Sequence, residues 1–241
     1  MSDLPPLVLL TDFGLADAYV GVMKGVIAGI HPAIRVIDLC HAVPPQDIAH
    51  GADLLAESWR WFPAGSVFVG VVDPGVGGKR GAIVARIQDR FFVGPDNGLC
   101  ARVDPEDTDA RTLPDAWGLP KRSATFHGRD LFAPAAARLL AGLVRFDDAL
   151  PTAFVALPVL TAGVVRRLDR FGNAITNLPG QTTGFILWRK LALPVVRTYG
   201  DAPAGSLVAL TGSSGWLEIV AVGGSAAEAG VAPGDTAEWQ P

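Results

Sequence analysis

At 241 residues with a formal charge of −4 and a pI near 5.5, the chain lacks the basic face with which proteins hold a phosphate backbone, so no nucleic-acid partner is expected. Hydrophobic residues make up 49% of it, enough for a real core, yet despite a mean hydropathy of +0.32 stretches such as Val20 to Ile30, with Lys24 inside, are too short to span a bilayer, and no membrane partner is expected. The start, MSDLPPLVLLTDFG, has no basic region and reaches Asp12 too early for a signal peptide, which makes the cytoplasm the expected location.

Leu7 to Leu10 predicts a strand running into the acidic loop Thr11-Asp12-Phe13-Gly14, and Val20 to Ile30 a helix. Ile34 to Leu39 is a second strand with the exit loop Cys40-His41-Ala42-Val43-Pro44-Pro45. Gln46 to Trp61 reads as a helix with Ala49, Ala52, Leu55, Ala56 and Trp59 on its apolar side. Val67 to Val72 is a third strand. It ends on Asp73 and breaks into a Pro/Gly loop closed by Lys79 and Arg80. Ala82 to Ile87 and Arg90 to Val93 pair about Gln88-Asp89, and the second runs into Gly94-Pro95-Asp96-Asn97-Gly98. Asp104 to Pro120, polar and rich in proline, predicts a loop. Thr125 to Asp130 precedes an amphipathic helix from about Leu131 to Leu143, which sets His127 just before a helix N-terminus. Phe146 to Leu160 reads as a linker.

Beyond it the pattern is strand and turn: Gly163 to Leu168, a turn at Phe171 to Asn173, Phe185 to Trp188, Ser206 to Leu210, Trp216 to Val222, and a closing Pro233-Gly234-Asp235 turn. The expected fold is therefore an α/β N-terminal domain, a largely parallel sandwich over residues 1–157, and a smaller C-terminal β-barrel over residues 158–241. Cys40 and Cys100 lie in apolar segments without CxxC spacing and read as free thiols.

Three acidic loops, at Asp12/Asp17, Asp73 and Asp96/Asn97, fall where strands end. In a parallel sheet those ends share one edge, where ligands bind. Each Asp alone also reads as a cap of its own turn, so the convergence is what points to a cleft. A carboxylate there suits a ribose diol, because its two oxygens can accept from both hydroxyls, and Asp12 is the candidate. GxGxxG and GxxxxGK[ST] are absent, so phosphate anchoring is not indicated. Among the histidines, His31 reads as a helix-end cap, while His41 and His50 read as packing or surface residues. His127, in a tight polar turn, is open between a structural and a catalytic role. No His/Cys/Asp/Glu spacing suits a metal, and none is expected. Gly212-Ser213-Ser214-Gly215 lies among strands and is no nucleophile elbow; it reads as a hydrogen-bonding turn.

The segments LLTDFG, VIDLCHAVPPQDI, VVDPGVGGKR, GPDNGL, FHGRDLFAP, DRFGNAITN and SSGWLEI, followed by GSAAE and GD, together resemble the S-adenosyl-L-methionine hydrolases, or SAM hydroxide adenosyltransferases, relatives of fluorinase and chlorinase. The resemblance runs nearly end to end. It implies a homotrimer with the ligand between one subunit's N-domain and its neighbour's C-domain. It also implies a metal-independent hydrolysis of S-adenosyl-L-methionine, as substrate and not cofactor, to adenosine and L-methionine. By the same resemblance Asp73, Arg80 and His127 orient and activate the attacking water and Asp12 holds the ribose. Asp17, Asp169, Asn173 and Ser213 meet the methionine end, with Ser214 where fluorinase has an Arg and Gly212 where the family often has an Asn. Phe171 and the backbone of Ala221 to Gly223 line the adenine. Halogenating relatives carry a Tyr where Asp73 stands, a Trp at Gln46 and a Ser at Gly128, so water is implied over halide. Three other readings stay open from the sequence: a chlorinase, a protein that binds S-adenosylmethionine or adenosine without turnover, and a metal-dependent nucleotidase, which would need clustered carboxylates and a phosphate site.

Overall fold

Runs rich in Val, Ile, Leu and Phe build the centre of the first unit. In the computed structural model, which describes residues 4–241, its strands are β1 (Leu7–Thr11), β2 (Val36–Cys40), β3 (Val67–Val71), β4 (Ala82–Ile87), β5 (Arg90–Pro95), β6 (Thr108–Thr112) and β7 (Leu150–Pro151). They form one seven-stranded sheet in the order β2-β1-β3-β5-β4-β6-β7. The pairs β1/β2, β1/β3 and β3/β5 are parallel, and β5/β4, β4/β6 and β6/β7 antiparallel. The ends of β1, β3 and β5 therefore lie along one edge.

β1 and β3 are buried along their whole length, which requires cover on both faces. The helices α1 (Tyr19–Ile30) and α3 (Ala133–Leu140) supply one layer, where Met23, Ile27, Ala133 and Ala136 pack with Leu7, Leu9 and Val69. α2 (Ile48–Trp59) supplies the other, where Leu55 and Trp59 meet Val8, Leu10, Phe68 and Phe92. Gln46 lies outside this helix because its φ is +65°. Asp47 instead caps the helix, accepting the His50 amide at 2.9 Å. The helix expected from Leu131 is preceded by a π-helical turn, Gly128–Phe132, and ends at Leu140.

Two expectations fail at the sheet's flank. The segment expected to be a loop contains β6, which pairs with β4, and a 3₁₀ turn at Asp115–Trp117. The start of the expected linker forms a 3₁₀ turn, Phe146–Asp148, and β7, which pairs with β6. Flanking strands carry polar residues, as in Thr108-Asp109-Ala110-Arg111-Thr112, and so lack the apolar signature. Phe146 is buried beneath the guanidinium groups of Arg86 and Arg111, at 5.1 and 4.4 Å.

The chain divides into two compact units, Met1–Leu157 and Pro158–Pro241. The second holds β8 (Val165–Leu168), β9 (Ala174–Pro179), β10 (Phe185–Trp188), β11 (Leu191–Pro194), β12 (Leu207–Thr211), β13 (Trp216–Ala221) and β14 (Glu238–Gln240). They form two antiparallel sheets, β11-β10-β14 and β12-β13-β9-β8. Where a barrel was expected, the sheets meet at two seams made of single bridges, Val164↔Thr236 and Val195↔Ala209, so the circuit of strands is not joined by continuous ladders. Ile186, Trp188, Leu193, Leu217 and Ile219 share its core. β9, β11 and β14 escaped the sequence reading. β9 is broken by two polar residues, Thr176 and Asn177: Thr176 is fully buried and its hydroxyl donates to the Leu217 carbonyl at 2.6 Å. Both cysteines are free, and burial pushes the Cys100 thiol up to about 12. Among the described residues no helix is long and apolar enough to cross a membrane.

Candidate active site

Asp73 leaves the sheet just after β3, and the chain then turns twice, with Val76 N–H donating to Asp73 O at 3.3 Å and Gly78 N–H to Gly75 O at 3.0 Å. Glycine is required in this loop. Gly77 has φ +72°, and a Cβ on it would stand 2.4 Å from the Ala124 carbonyl oxygen, so the loop rests against the segment that leads to His127. A Cβ on Gly75 would stand 3.0 Å from Arg80 Cγ. Its absence lets Arg80 fold back over Asp73.

Arg80 Nε donates to Asp73 Oδ1 at 2.9 Å and Oδ2 at 3.1 Å, and Nη2 to Oδ2 at 2.5 Å. The same Nη2 lies 2.9 Å from His127 Nδ1. The Arg80 side chain is 12% exposed and that of Asp73 4%, so the group is held in a dry setting where charge-assisted bonds are strong. A guanidinium has no acceptor, so His127 Nδ1 must accept, which leaves the ring proton on Nε2. Burial and the Arg80 charge hold His127 below its ordinary pKa, against the opposing pull of Asp73. The buried Phe132 ring lies 5.3 Å from the Arg80 guanidinium carbon and 6.3 Å from the imidazole. The π-helical turn that begins just after His127 thus supplies a floor for both groups.

Asp12 stands one residue beyond β1. Its Oδ2 accepts the Gln46 amide at 2.8 Å, and a carboxylate so held keeps lone pairs for further donors. Its neighbour Phe13 packs with Tyr19 and Phe126, centroids 5.6 and 5.9 Å away, which brings the Asp12 loop against the His127 loop. Asp17 is exposed. The third acidic loop turns inward: Asp96 Oδ1 accepts the Val155 amide at 2.7 Å, and Asn97 Nδ2 donates to the Val72 carbonyl at 2.8 Å. The Asn97 side chain braces the backbone beside Asp73.

In the second unit Asp169 Oδ1 accepts the amides of Phe171 at 2.8 Å and Asn173 at 2.9 Å, and Oδ2 accepts Asn173 Nδ2 at 2.9 Å. Asn173 Nδ2 also reaches the Tyr199 hydroxyl at 3.2 Å. Burial, then Glu218 and Asp169, push Tyr199 above its ordinary pKa. Tyr199 and Glu218 were missed from the sequence. Nothing local marks Tyr199, whereas an acid inside the apolar run Trp216 to Ala221 is a usable signal. Phe171 is 75% exposed. Ser213 is exposed, and Ser214 Oγ is buried without a hydrogen-bond partner among the described residues. Gly223 takes φ +72° in an exposed turn. Among the described residues no three His, Cys, Asp or Glu side chains are grouped to hold a metal.

Residues 7–148 match the SAM hydroxide adenosyltransferase N-terminal domain and residues 163–238 the corresponding C-terminal domain. A Thermus thermophilus protein named (R)-S-adenosyl-L-methionine hydrolase is 42% identical over 93% of this chain and 94% of its own. One of the same name from Salinispora arenicola is 41% identical over 98% and 97%. The crystal structure of an uncharacterized conserved protein from Thermotoga maritima superposes with a TM-score of 0.90 at 32% identity, covering 98% of this chain and 100% of that one. The chain belongs to the SAM hydroxide adenosyltransferase family.

Proposed function

We propose that the protein hydrolyses S-adenosyl-L-methionine, in the (R) configuration that its relatives' name specifies, to adenosine and L-methionine by in-line attack of water on ribose C5′. The observation that carries this reading is the single hydrogen-bonded group of Asp73, Arg80 and His127 beyond the end of β3. As the water oxygen bonds to C5′, the C5′–S bond breaks and its electron pair leaves on sulfur, giving the neutral thioether of methionine. Departure needs no proton. The demand falls on the nucleophile, where general-base assistance is worth about 10²–10⁴ in rate and positioning adds more.

The hydrogen bonding supports the following roles. Arg80 has no lone pair, and His127 has its Nδ1 lone pair engaged by Arg80 and a proton on Nε2. Asp73 is the acceptor of the water proton, which then passes to solvent; the His127 Nε2–H donates to the water oxygen and holds its direction. Asp12 accepts from the ribose diol. Asp17, Asp169, Asn173, Ser213 and Ser214 take the methionine end, and Phe171 with the backbone at Gly223 takes the adenine. The polar group of Asp169, Asn173, Tyr199 and Glu218 suits an ammonium, and an exposed Phe171 ring suits a base. A homotrimer, in which a neighbouring copy's second unit completes each site, belongs to the same reading.

The test is incubation of purified protein with each sulfonium epimer in ¹⁸O-water, with and without chloride, and mass analysis of the products. One ¹⁸O in adenosine and none in methionine is expected in both buffers. Formation of 5′-chloro-5′-deoxyadenosine, label in an amino-acid product, or tight binding without turnover defeats the proposal.

A further inference from the structure

Beside the Asp12 loop lies a row of polar groups, buried at Thr11 and His41, exposed at Asp38 and partly exposed at Lys24, that the proposed chemistry leaves unused. Thr11 is 0% exposed and His41 6%. The Thr11 hydroxyl stands 2.8 Å from His41 Nδ1, His41 Nε2 stands 3.0 Å from Asp38 Oδ1, and Asp38 Oδ2 accepts from Lys24 Nζ at 2.6 Å. Hydroxyl, imidazole and carboxylate in this order are the parts of a nucleophilic triad. Here the hydroxyl has no exposed surface, so no substrate reaches it.

The row acts on the backbone instead. The negative charge of Asp38 beside Nε2, a contact outside hydrogen-bond geometry, favours the ring proton there and leaves Nδ1 to accept from the Thr11 hydroxyl. Burial raises the Asp38 carboxyl, but Lys24 and His41 together outweigh it, and the group stays below its ordinary value, ionised. The Thr11 oxygen in turn accepts the Phe13 amide at 3.2 Å, and the His41 carbonyl accepts the Gly14 amide at 2.7 Å. Residues 11, 13 and 14 are thus all tied to His41 directly or through Thr11, and Asp12 sits between them. The same exit loop returns at Gln46, whose amide holds Asp12 Oδ2 at 2.8 Å. Gln46 does so with φ +65°, a left-handed conformation unfavourable for a side chain of its kind.

We propose that His41, oriented by Asp38, is a positioning residue that sets, through Thr11 and Gly14, the direction in which the Asp12 carboxylate meets the ribose diol. The inference rests on the reading of Asp12 as the ribose acceptor. Its test compares the binding of adenosine and 2′,3′-dideoxyadenosine by calorimetry to the unmodified protein and to Asp12→Ala, His41→Ala, Thr11→Val and Thr11→Ser.

The unmodified protein prefers adenosine, and Asp12→Ala abolishes the preference. His41→Ala and Thr11→Val reduce it about tenfold, the worth of a misdirected bond to a charged group, while affinity for the dideoxynucleoside holds. Thr11→Ser, which keeps the hydroxyl, retains the preference. Should His41→Ala not fold, Thr11→Val, of similar shape, carries the comparison. A preference that survives both His41→Ala and Thr11→Val but not Asp12→Ala overturns the positioning role alone, and an equal fall in both affinities overturns it as mere loss of structure. An unmodified protein without the preference, or Asp12→Ala with it intact, removes the ribose reading and this inference together.

Discussion

At His127 the geometry and the charge make the same demand. Protonation would place an N–H on Nδ1 facing the Arg80 Nη2 donor 2.9 Å away, a clash of donors and of cations, so the native state favours the neutral ring. The sign follows from linkage. The native pKa lies below the ordinary 6.5, so as pH falls the unfolded chain takes the proton first; the stabilising contribution is complete above 6.5 and is lost as pH falls from there through the lower native value. In a kcat/KM profile the acid limb belonging to this group is therefore expected below pH 6.5, with a plateau above, and His127→Asn should remove it. A limb that lies above that value, or one that persists unchanged in the variant, contradicts an Arg-donated neutral imidazole.

Among the elements, the glycine-rich turn after β3 and the π-helical turn before α3 together assemble the group, each by bringing backbone close to what it carries. Gly77→Ala tests the first. A left-handed φ of +72° and a Cβ 2.4 Å from the Ala124 carbonyl oxygen imply a loss of about 2 kcal/mol and a melting point lower by about 5 °C. Activity should fall further than stability explains at assay temperature, because displacing Ala124 moves His127 relative to Arg80. Melting and kcat/KM both left unchanged would show that the close packing of the two loops is dispensable. Phe132 shows the same economy: one buried ring serves both the guanidinium and the imidazole.

For the molecule as a whole, each unit has its own core and a distinct set of polar groups. Asp73, Arg80, His127 and Asp12 lie in the first unit; Asp169, Asn173, Tyr199 and Glu218 lie in the second. A proposed homotrimer with shared sites predicts complementation. Asp73→Ala and Asp169→Ala proteins, each nearly inactive alone, should regain part of the activity when unfolded and reassembled together, since mixed trimers contain some sites with neither change. Activity that stays at the level of the separate variants, with mixed trimers shown by mass, excludes sharing between copies.

How much of this was legible in the residues depends on the range of the forces involved. Burial on both faces demands unbroken apolar runs, so β1 and β3 could be read directly, the one-sided burial of α1 and the turn of the β4/β5 hairpin left local signals of their own, and the Asp73 to Arg80 loop could be placed at a strand end. β6, β7 and β9 could not, because a flanking strand or one broken by polar residues is held by partners distant in sequence and not by its own pattern. The acidic loops show the same limit: all three were visible, yet Asp12 is gripped by Gln46, Asp73 by Arg80, and Asn97 is turned to the Val72 carbonyl. What the sequence by itself determined was the local alternation of strand, loop and helix and the residue types at the loop tips. Only the tertiary structure decided that Arg80 also reaches His127, 47 residues on, and that His41 grips Thr11, because a hydrogen bond between loops depends on strand order and on how closely two backbones approach, and neither is written in the spacing of any one segment.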